Sequence, residues 1–341
     1  MHVLMIGGTR FMGRIAVQKL LDAGDKVTVF SRGNTKPDWW NEVEHIRGDR
    51  DEIEDFKAKL KGRTFDAVID TQAFVKEHVE SAVTALQGNL GRYLFVSTGS
   101  VYFDIGFDFF KHCPFKETDV DWSAIDYSFP EGVNPYGVGK RHCEKWLQES
   151  SPVPFTIVRI PSMLGEDDNE ERSWWWSQRA LDGGPIVIPA ENRGVFRCLY
   201  AADAAEAWVR AIKSPNAANQ TYHIASQEII TIEYWAKLVI DAAGTESVLT
   251  LIPLEFIQSQ KELENYFERL SRDYPCVHDI TKAEQDFGFT TTPVEQWVRS
   301  TVHWYRDCYE GEDAAGYEHR AAEIAVAAKW KEAQARLVSG S

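Results

Sequence analysis

Tyr136 and Lys140 stand four residues apart in Asn134-Pro135-Tyr136-Gly137-Val138-Gly139-Lys140. On a helix, side chains at that spacing share one face. Of the 12 tyrosines in the chain, Tyr136 alone is followed by lysine at this distance. A phenol ordinarily titrates near 10 and is a poor base at neutral pH. A nearby ammonium favours the phenolate and makes it a better one. Such a pair can pass a proton to or from a substrate hydroxyl or carbonyl while a hydride moves to or from a nicotinamide. Spacing alone does not separate this reading from a surface coincidence, so the elements around the pair must decide.

A strand-like run ends in Phe95-Val96-Ser97-Thr98-Gly99-Ser100-Val101-Tyr102. Ligands bind at the C-terminal ends of strands in parallel sheets. A hydroxyl from Thr98 or Ser100 could hold the reacting oxygen near Tyr136. At the other end of the argument lies Gly7-Gly8-Thr9-Arg10-Phe11-Met12-Gly13, between the first strand and the first helix. Gly7 allows a sharp turn, and Gly13 allows close helix–strand packing. The helix start then offers free N–H groups to a pyrophosphate. Arg10 takes the place of a usual third glycine, where its guanidinium suits a phosphate. After the second strand, Val29-Phe30-Ser31-Arg32-Gly33 lacks the carboxylate that would accept from a ribose 2′-OH. Ser31 and Arg32 would instead receive a 2′-phosphate, which favours NADP(H) and leaves NAD(H) admissible. Asp49 is placed either to accept from an adenine amino group or to cap the chain that follows.

The elements that must position these residues alternate. Strands are predicted at Val3–Ile6, Lys26–Phe30, His45–Arg47, Phe65–Asp70, Tyr93–Ser97 and Phe155–Ile160. Helices are predicted at Phe11–Ala23, His78–Leu86 and Tyr136–Gln148. This is the pattern of an α/β fold with a doubly wound parallel sheet of the Rossmann type. Residues 1–165 form the expected dinucleotide-binding domain, with segments near 195–225 returning to it. Residues 166–310 form a smaller mixed α/β substrate domain. Residues 311–341 form a helical tail with apolar spacing at Ala321, Ile324, Ala328 and Leu337, either a surface helix or a route to a homodimer.

Composition narrows the class. The 341 residues carry 52 acidic against 37 basic side chains, a net charge of −15. Such a surface repels nucleic acid and anionic membrane on average. No apolar run reaches the roughly 20 residues of a membrane span. With no leader-like segment before the first strand, the cytoplasm is the expected location. The five cysteines are scattered and odd in number, so neither a disulfide framework nor a zinc site is expected. The nine histidines show no ligand spacing, and no metal is expected.

In their order, these motifs resemble the extended short-chain dehydrogenase/reductase superfamily, in its NAD(P)-dependent epimerase/dehydratase branch. The resemblance runs from about Met1 to Arg306. It rests on the glycine turn, the Val-Ser-Thr-Gly-Ser-Val-Tyr strand end, Tyr136–Lys140 with Glu144 four residues on, Arg159-Ile160-Pro161, Tyr200-Ala201-Ala202-Asp203 and Trp304-Tyr305. It implies Thr98, four residues before Tyr102, as the catalytic hydroxyl. It implies Tyr136 as acid/base and Lys140 as its ribose-binding activator. The expected dinucleotide contacts are Gly7, Thr9, Arg10, Phe11, Met12, Gly13, Ser31, Arg32, Asp49, Arg50, Gln72, Ser97, Tyr136, Lys140, Ile160 and Ser162. Expected substrate contacts are Ser100, Trp174 from the Trp174–Trp176 run, and Arg197, similar to the arginine that meets a diphosphate in nucleotide-sugar members. Sugar 4,6-dehydratases of this group place Asp-Glu after the catalytic threonine. Gly99 and Ser100 stand there in this chain and argue against dehydration. Members with a Gly-Gly-Thr-Arg-Phe turn range over epimerases, reductases and RNA-associated proteins. The leading expectation is a sugar or nucleotide-sugar epimerase. The alternatives are an NADPH-dependent carbonyl reductase and a non-enzymatic nucleotide-sensing or RNA-associated protein.

Overall fold

The computed structural model describes residues 1–128, 135–263 and 273–339. The chain divides into two compact units: residues 1–163, 198–227 and 278–291 form the first, and 164–197, 228–277 and 292–341 the second.

The first unit is a seven-stranded sheet in which every pairing is parallel. Its strands are β1 (His2–Ile6), β2 (Lys26–Ser31), β3 (Glu44–Arg47), β4 (Phe65–Asp70), β5 (Leu90–Thr98), β6 (Phe155–Ile160) and a seventh, Gln220–His223. From one edge the order is β3, β2, β1, β4, β5, β6 and then Gln220–His223. This is the doubly wound α/β arrangement that the strand–helix alternation predicts. Strands buried on both faces read as continuous apolar runs, and β1 and β6 do so, with Val3–Ile6 and Ile157–Val158 at or near zero exposure. The helices are α1 (Phe11–Asp22), α2 (Ile53–Leu60), α3 (Lys76–Ala85) and α4 (Pro135–Ser150), followed by Ala201–Lys213 and Thr281–Phe287. One apolar cluster packs α1 and Ala201–Lys213 against the sheet; another packs α2, α3 and α4 against the opposite face. The direction of winding reverses between β1 and β4. That reversal opens the crevice in which such sheets bind ligands.

Sequence reading passes over α2. Its signal is short: Ile53, Phe56 and Leu60 at helical spacing, with the latter two fully buried. Two short strands, Val195–Phe196 and Leu199–Tyr200, begin the segment near 195–225.

In the second unit, Ile186–Pro189 pairs in parallel with Leu249–Ile252, and Val195–Phe196 pairs antiparallel with Ile230–Thr231. Helices Arg172–Leu181, Ile232–Ala243 and Val294–Cys308 pack together. The tail forms helix Arg320–Ser339, but its inward face is not the predicted one. Ile324 and Leu337 are exposed, whereas Arg320, Glu323, Val326 and Ala327 are buried. The reason is ionic. Glu323 receives Arg179 Nη2 at 2.7 Å and Arg320 Nη1 at 3.0 Å, and Arg320 Nε reaches Asp182 at 2.6 Å. Charge pairing therefore anchors the first turn, and an apolar stripe cannot report it.

Candidate active site

The glycine turn leaves β1 for α1 at the switch point. Gly7 has φ +91°, and a Cβ there would lie 2.5 Å from Thr71 Oγ1 and 2.7 Å from Gln72 Cγ. A Cβ at Gly13 would meet the backbone of Gly8 at 2.6 Å. Phe11 adopts a left-handed φ of +43° although it is not glycine, and its ring is buried. Arg10 is the helix N-cap residue but makes no side-chain cap hydrogen bond, and the first turn holds no carboxylate. The N–H groups at this helix start thus lack a side-chain cap. The cradle that only glycines permit, and the uncapped helix start, fit the pyrophosphate of a dinucleotide.

Around this cradle the predicted residues divide. Thr9 and Met12 are half-buried beside the turn. Gln72, on the loop after β4, lies against Gly7, and its N–H donates to Asp70 Oδ1 at 2.8 Å. Arg10 Nε donates to Thr35 Oγ1 at 3.1 Å. Ser31 Oγ accepts from the Gly33 N–H, and Arg32 is exposed. Arg47, which sequence reading missed, joins them: its Nε donates to the Arg32 carbonyl at 3.0 Å. The register Ser31↔Arg47 between β2 and β3 is the signal that would have found it.

Asp49 Oδ1 accepts from the Asp51 N–H at 3.1 Å, a turn-forming bond. Arg50 needs correction. It is buried and donates to Asp70 Oδ2 at 2.9 Å, while Asp70 also receives Tyr93 Oη at 2.6 Å. A fully buried carboxylate demands such partners, so this guanidinium is held inside the unit. The Ser97 hydroxyl is likewise committed, since it donates to Glu144 Oε1 in the interior. Ile160 is buried at the end of β6, and Ser162 is exposed, its carbonyl accepting from Leu199.

The residues expected to transfer a proton lie at the end of β5 and the start of α4. The start of α4 presses on the turn Gly99–Tyr102, because a Cβ at Gly137 would lie 2.7 Å from the Ser100 carbonyl oxygen. Tyr136 is 41 % exposed and Lys140 only 2 %. Lys140 Nζ lies 5.7 Å from the Tyr136 ring centroid and donates to the Val96 carbonyl at 2.8 Å. Burial depresses the Lys140 ammonium from its ordinary range to about 8; Cys143, Asp70 and Glu144 pull weakly the other way. Thr98 Oγ1 donates to Ser100 Oγ at 3.2 Å and accepts the Ser100 N–H at 3.1 Å.

Beneath this turn runs a buried network that no spacing in the sequence announces. Glu144 receives Arg159 Nη2 at 2.6 Å and Nε at 3.1 Å. Arg159 Nη1 donates to Tyr102 Oη at 2.6 Å, and Tyr102 Oη meets His223 Nε2 at 2.7 Å. Burial alone would lower the Arg159 guanidinium, but Glu144 and Tyr102 hold it above its ordinary value. Burial, then His278 and Arg159, keep His223 well below the usual histidine range. His278 lies against Gly99: a Cβ there would fall 2.8 Å from His278 Nε2 and 3.5 Å from the Ile160 carbonyl oxygen. Any side chain at position 99 would have to displace the His278 ring.

The predicted substrate contacts in the second unit are placed differently. Trp174 stacks on Tyr305 at 5.1 Å and donates from Nε1 to the Glu312 carbonyl at 3.0 Å. Trp175 and Trp176 are buried, and Arg179 lies over Trp175 at 3.9 Å. Trp175 and Trp176 also pack on each other with ring centroids 4.8 Å apart, and Trp174 is half-buried. The Arg197 N–H donates to the Cys276 carbonyl at 3.2 Å, which fixes its backbone in the second unit. Among the described residues, no group of His, Cys, Asp and Glu could hold a metal ion, and no helix is long and apolar enough to cross a membrane.

With the sheet, the cradle and the β5 end in place, the class is defined: residues 3–225 match the NAD dependent epimerase/dehydratase family, and the chain belongs to it. It is 27 % identical over 302 residues to the chloroplast stem-loop binding protein of 41 kDa b of Arabidopsis thaliana, covering 84 % of this chain and 74 % of that one. Its fold resembles UDP-glucose 4-epimerase of Thermotoga maritima, solved with UDP-glucose, with TM-score 0.69 and 18 % identity over 90 % of this chain and 99 % of that one. It also resembles UDP-glucose 4-epimerase of Thermus thermophilus, solved with NAD, with TM-score 0.66 and 20 % identity over 91 % of this chain and the whole of that one.

Proposed function

We propose that this chain is an NADP(H)-using sugar or nucleotide-sugar epimerase in which Tyr136 moves the proton. The observation that carries the reading is Lys140, buried 5.7 Å beneath the Tyr136 ring at the strand end that bears Thr98. A bound nicotinamide would supply reversible hydride acceptance. Gly7, Gly13 and the uncapped start of α1 would hold its pyrophosphate. Tyr136 takes the proton from a substrate hydroxyl as it becomes a carbonyl, and returns it when the other face is reduced. Lys140 stabilises the phenolate during that exchange. Thr98 and Ser100 hold the reacting oxygen. Gly99 and Ser100 after Thr98 carry no acid, and His278 packs against Gly99, which supports epimerisation or reduction over dehydration.

A second reading, net NADPH-dependent carbonyl reduction by the same residues, draws support from Arg32 and Arg47. These lie together at the ends of β2 and β3, where a 2′-phosphate would sit. Identifying the nucleotide released from denatured protein separates the two. Oxidised cofactor retained at near one per chain supports epimerisation; an empty site that binds NADPH reversibly supports net reduction. A third reading follows the relative whose name records stem-loop binding. The net charge of −15 opposes it for this chain. Tyr136→Phe decides between enzyme and binding protein. Turnover with NADP(H) on a panel of sugars and nucleotide sugars is expected to fall roughly 10²-fold or more. Unchanged turnover would remove Tyr136 as the acid/base, and RNA retention by both forms without any turnover would sink the enzymatic reading.

A further inference from the structure

The Lys140 ammonium is enclosed by rings. Its Nζ lies 4.8 Å from the Phe74 centroid, 4.8 Å from Phe95 and 5.7 Å from Tyr136. Phe95 is buried in the sheet, whereas Phe74 is 41 % exposed and, with Tyr136, forms the solvent side of the enclosure. Phe74 follows β4 and is held from two directions. Its N–H donates to His78 Nδ1 at 3.3 Å, and its carbonyl presses so closely on α4 that a Cβ at Gly139 would collide with it. The Phe74 and Tyr136 ring centroids are 6.2 Å apart.

We propose that Phe74 is a positioning residue of this site: an aromatic lid that keeps water off the Lys140 ammonium and holds it beneath Tyr136. The inference rests on the reading of Tyr136 and Lys140 as the proton-transfer pair. The charged and titratable groups acting on the ammonium come from two elements, β4 and α4. Asp70, at the end of β4, is paired with Arg50. Glu144, on α4, is paired with Arg159 from β6. The Cys143 thiol, also on α4, is pushed up to about 12 by burial and stays uncharged. No salt bridge to Lys140 forms among the described residues, so its surroundings are set by the rings and one carbonyl.

Two effects of a ring oppose each other. Exclusion of water favours the neutral amine; the ring face favours the ammonium. Burial is the largest influence on the ammonium and lowers it to about 8, so loss of exclusion is the effect expected to dominate when the ring is removed. Removing the ring entirely admits water and raises the midpoint. Replacing it with an aliphatic side chain keeps water out and removes the π face, so the midpoint stays or falls.

The test is a side-chain NMR titration of the full chain labelled with 15N-lysine, without cofactor or substrate. The Lys140 signal is assigned by its absence in Lys140→Met. Phe74→Ala is expected to raise the Lys140 midpoint by about one pH unit or more, and Phe74→Leu to leave it at or below the native value. An unchanged midpoint in Phe74→Ala, or an equal rise in Phe74→Leu, would overturn the lid. Because the readout needs no turnover, the two proposals fail separately. An alanine-induced shift together with an active Tyr136→Phe variant supports the lid and removes the acid/base role. No shift together with an inactive Tyr136→Phe removes the lid alone. Equal thermal midpoints for the native chain and both Phe74 variants confirm that the fold is intact.

Discussion

Among the described residues, one arginine in each unit is almost completely buried, Arg159 in the first and Arg179 in the second, and the two are used differently. In the first, Arg159 is divided between Glu144, which also receives the Ser97 hydroxyl, and Tyr102, at the base of the turn carrying Thr98 and Ser100. In the second, Arg179 shares Glu323 with Arg320, and Arg320 holds Asp182 in turn. The first arrangement gives one carboxylate a single counter-charge and spends the remaining donors on a functional strand end. The second gives one carboxylate two counter-charges and uses them to fasten a helix whose apolar face is weak. A buried charge is costly mainly when its partner is removed. Redundancy should therefore make the second network tolerant and the first fragile.

The largest expected effect tests that contrast directly. Arg159→Met leaves Glu144 buried without a counter-charge and should cost about 3–5 kcal/mol, read as a lowered urea midpoint. It should also reduce turnover, because Glu144, which holds Ser97, loses its counter-charge and Tyr102 loses a donor beside Thr98. Arg179→Met leaves Arg320 on Glu323 and should cost clearly less, about 1–3 kcal/mol, with turnover retained. Equal losses in the two variants would refute the redundancy argument.

Arginines left in water sharpen the comparison from the other side. Arg32 and Arg47 are exposed, and removing them should leave stability within about 0.5 kcal/mol of native. If they receive a 2′-phosphate, Arg32→Ser with Arg47→Ser should weaken NADPH binding roughly 10- to 100-fold, with NADH binding unchanged in fluorescence titrations. Equal weakening of both nucleotides would remove the 2′-phosphate assignment.

The smallest effect is acid sensitivity. His223 stays neutral in the folded first unit, its midpoint depressed by burial and by the nearby His278 and Arg159. The unfolded chain takes up that proton below about 6.5. Stability conferred by a depressed group is present above the unfolded value and lost as pH falls, at up to about 1.4 kcal/mol per pH unit for one proton. Glu117, raised by burial, acts with the opposite sign as the carboxylate range is approached. The window therefore lies below 6.5 and above that range. Asp182 in the second unit is held below its ordinary value by Arg320 against the opposing effect of burial, so its contribution is lost only at lower pH. Urea melts at pH 7.5 and 5.5 should show a loss in the native chain that shrinks in His223→Gln. An identical loss in both would assign the effect elsewhere.

What was legible in the sequence is local. The cradle could be read because Gly7 and Gly13 act on their own turn, within one strand–helix junction. The Tyr136–Lys140 face could be read because helical periodicity carries residues four apart to one side. The parallel sheet followed from alternation of element types, which is also a local property. Arg10, Arg32 and Asp49 could be placed at the strand ends, but not paired with Thr35, Arg47 and the Asp51 N–H.

Tertiary structure alone decided the rest. Arg50, expected at the dinucleotide, is paired inside the unit with Asp70, twenty positions later. Trp174, expected at a substrate, packs on Tyr305 and donates to the Glu312 carbonyl, more than 130 positions away. The tail was read for an apolar stripe, yet its anchor is Glu323 with Arg179, 144 positions away. His278 closing position 99, and Phe74 covering Lys140, belong to the same class. In each case the deciding partner is chosen by three-dimensional proximity, and for a buried charge the requirement for a counter-charge outweighs any preference that spacing along the chain can express.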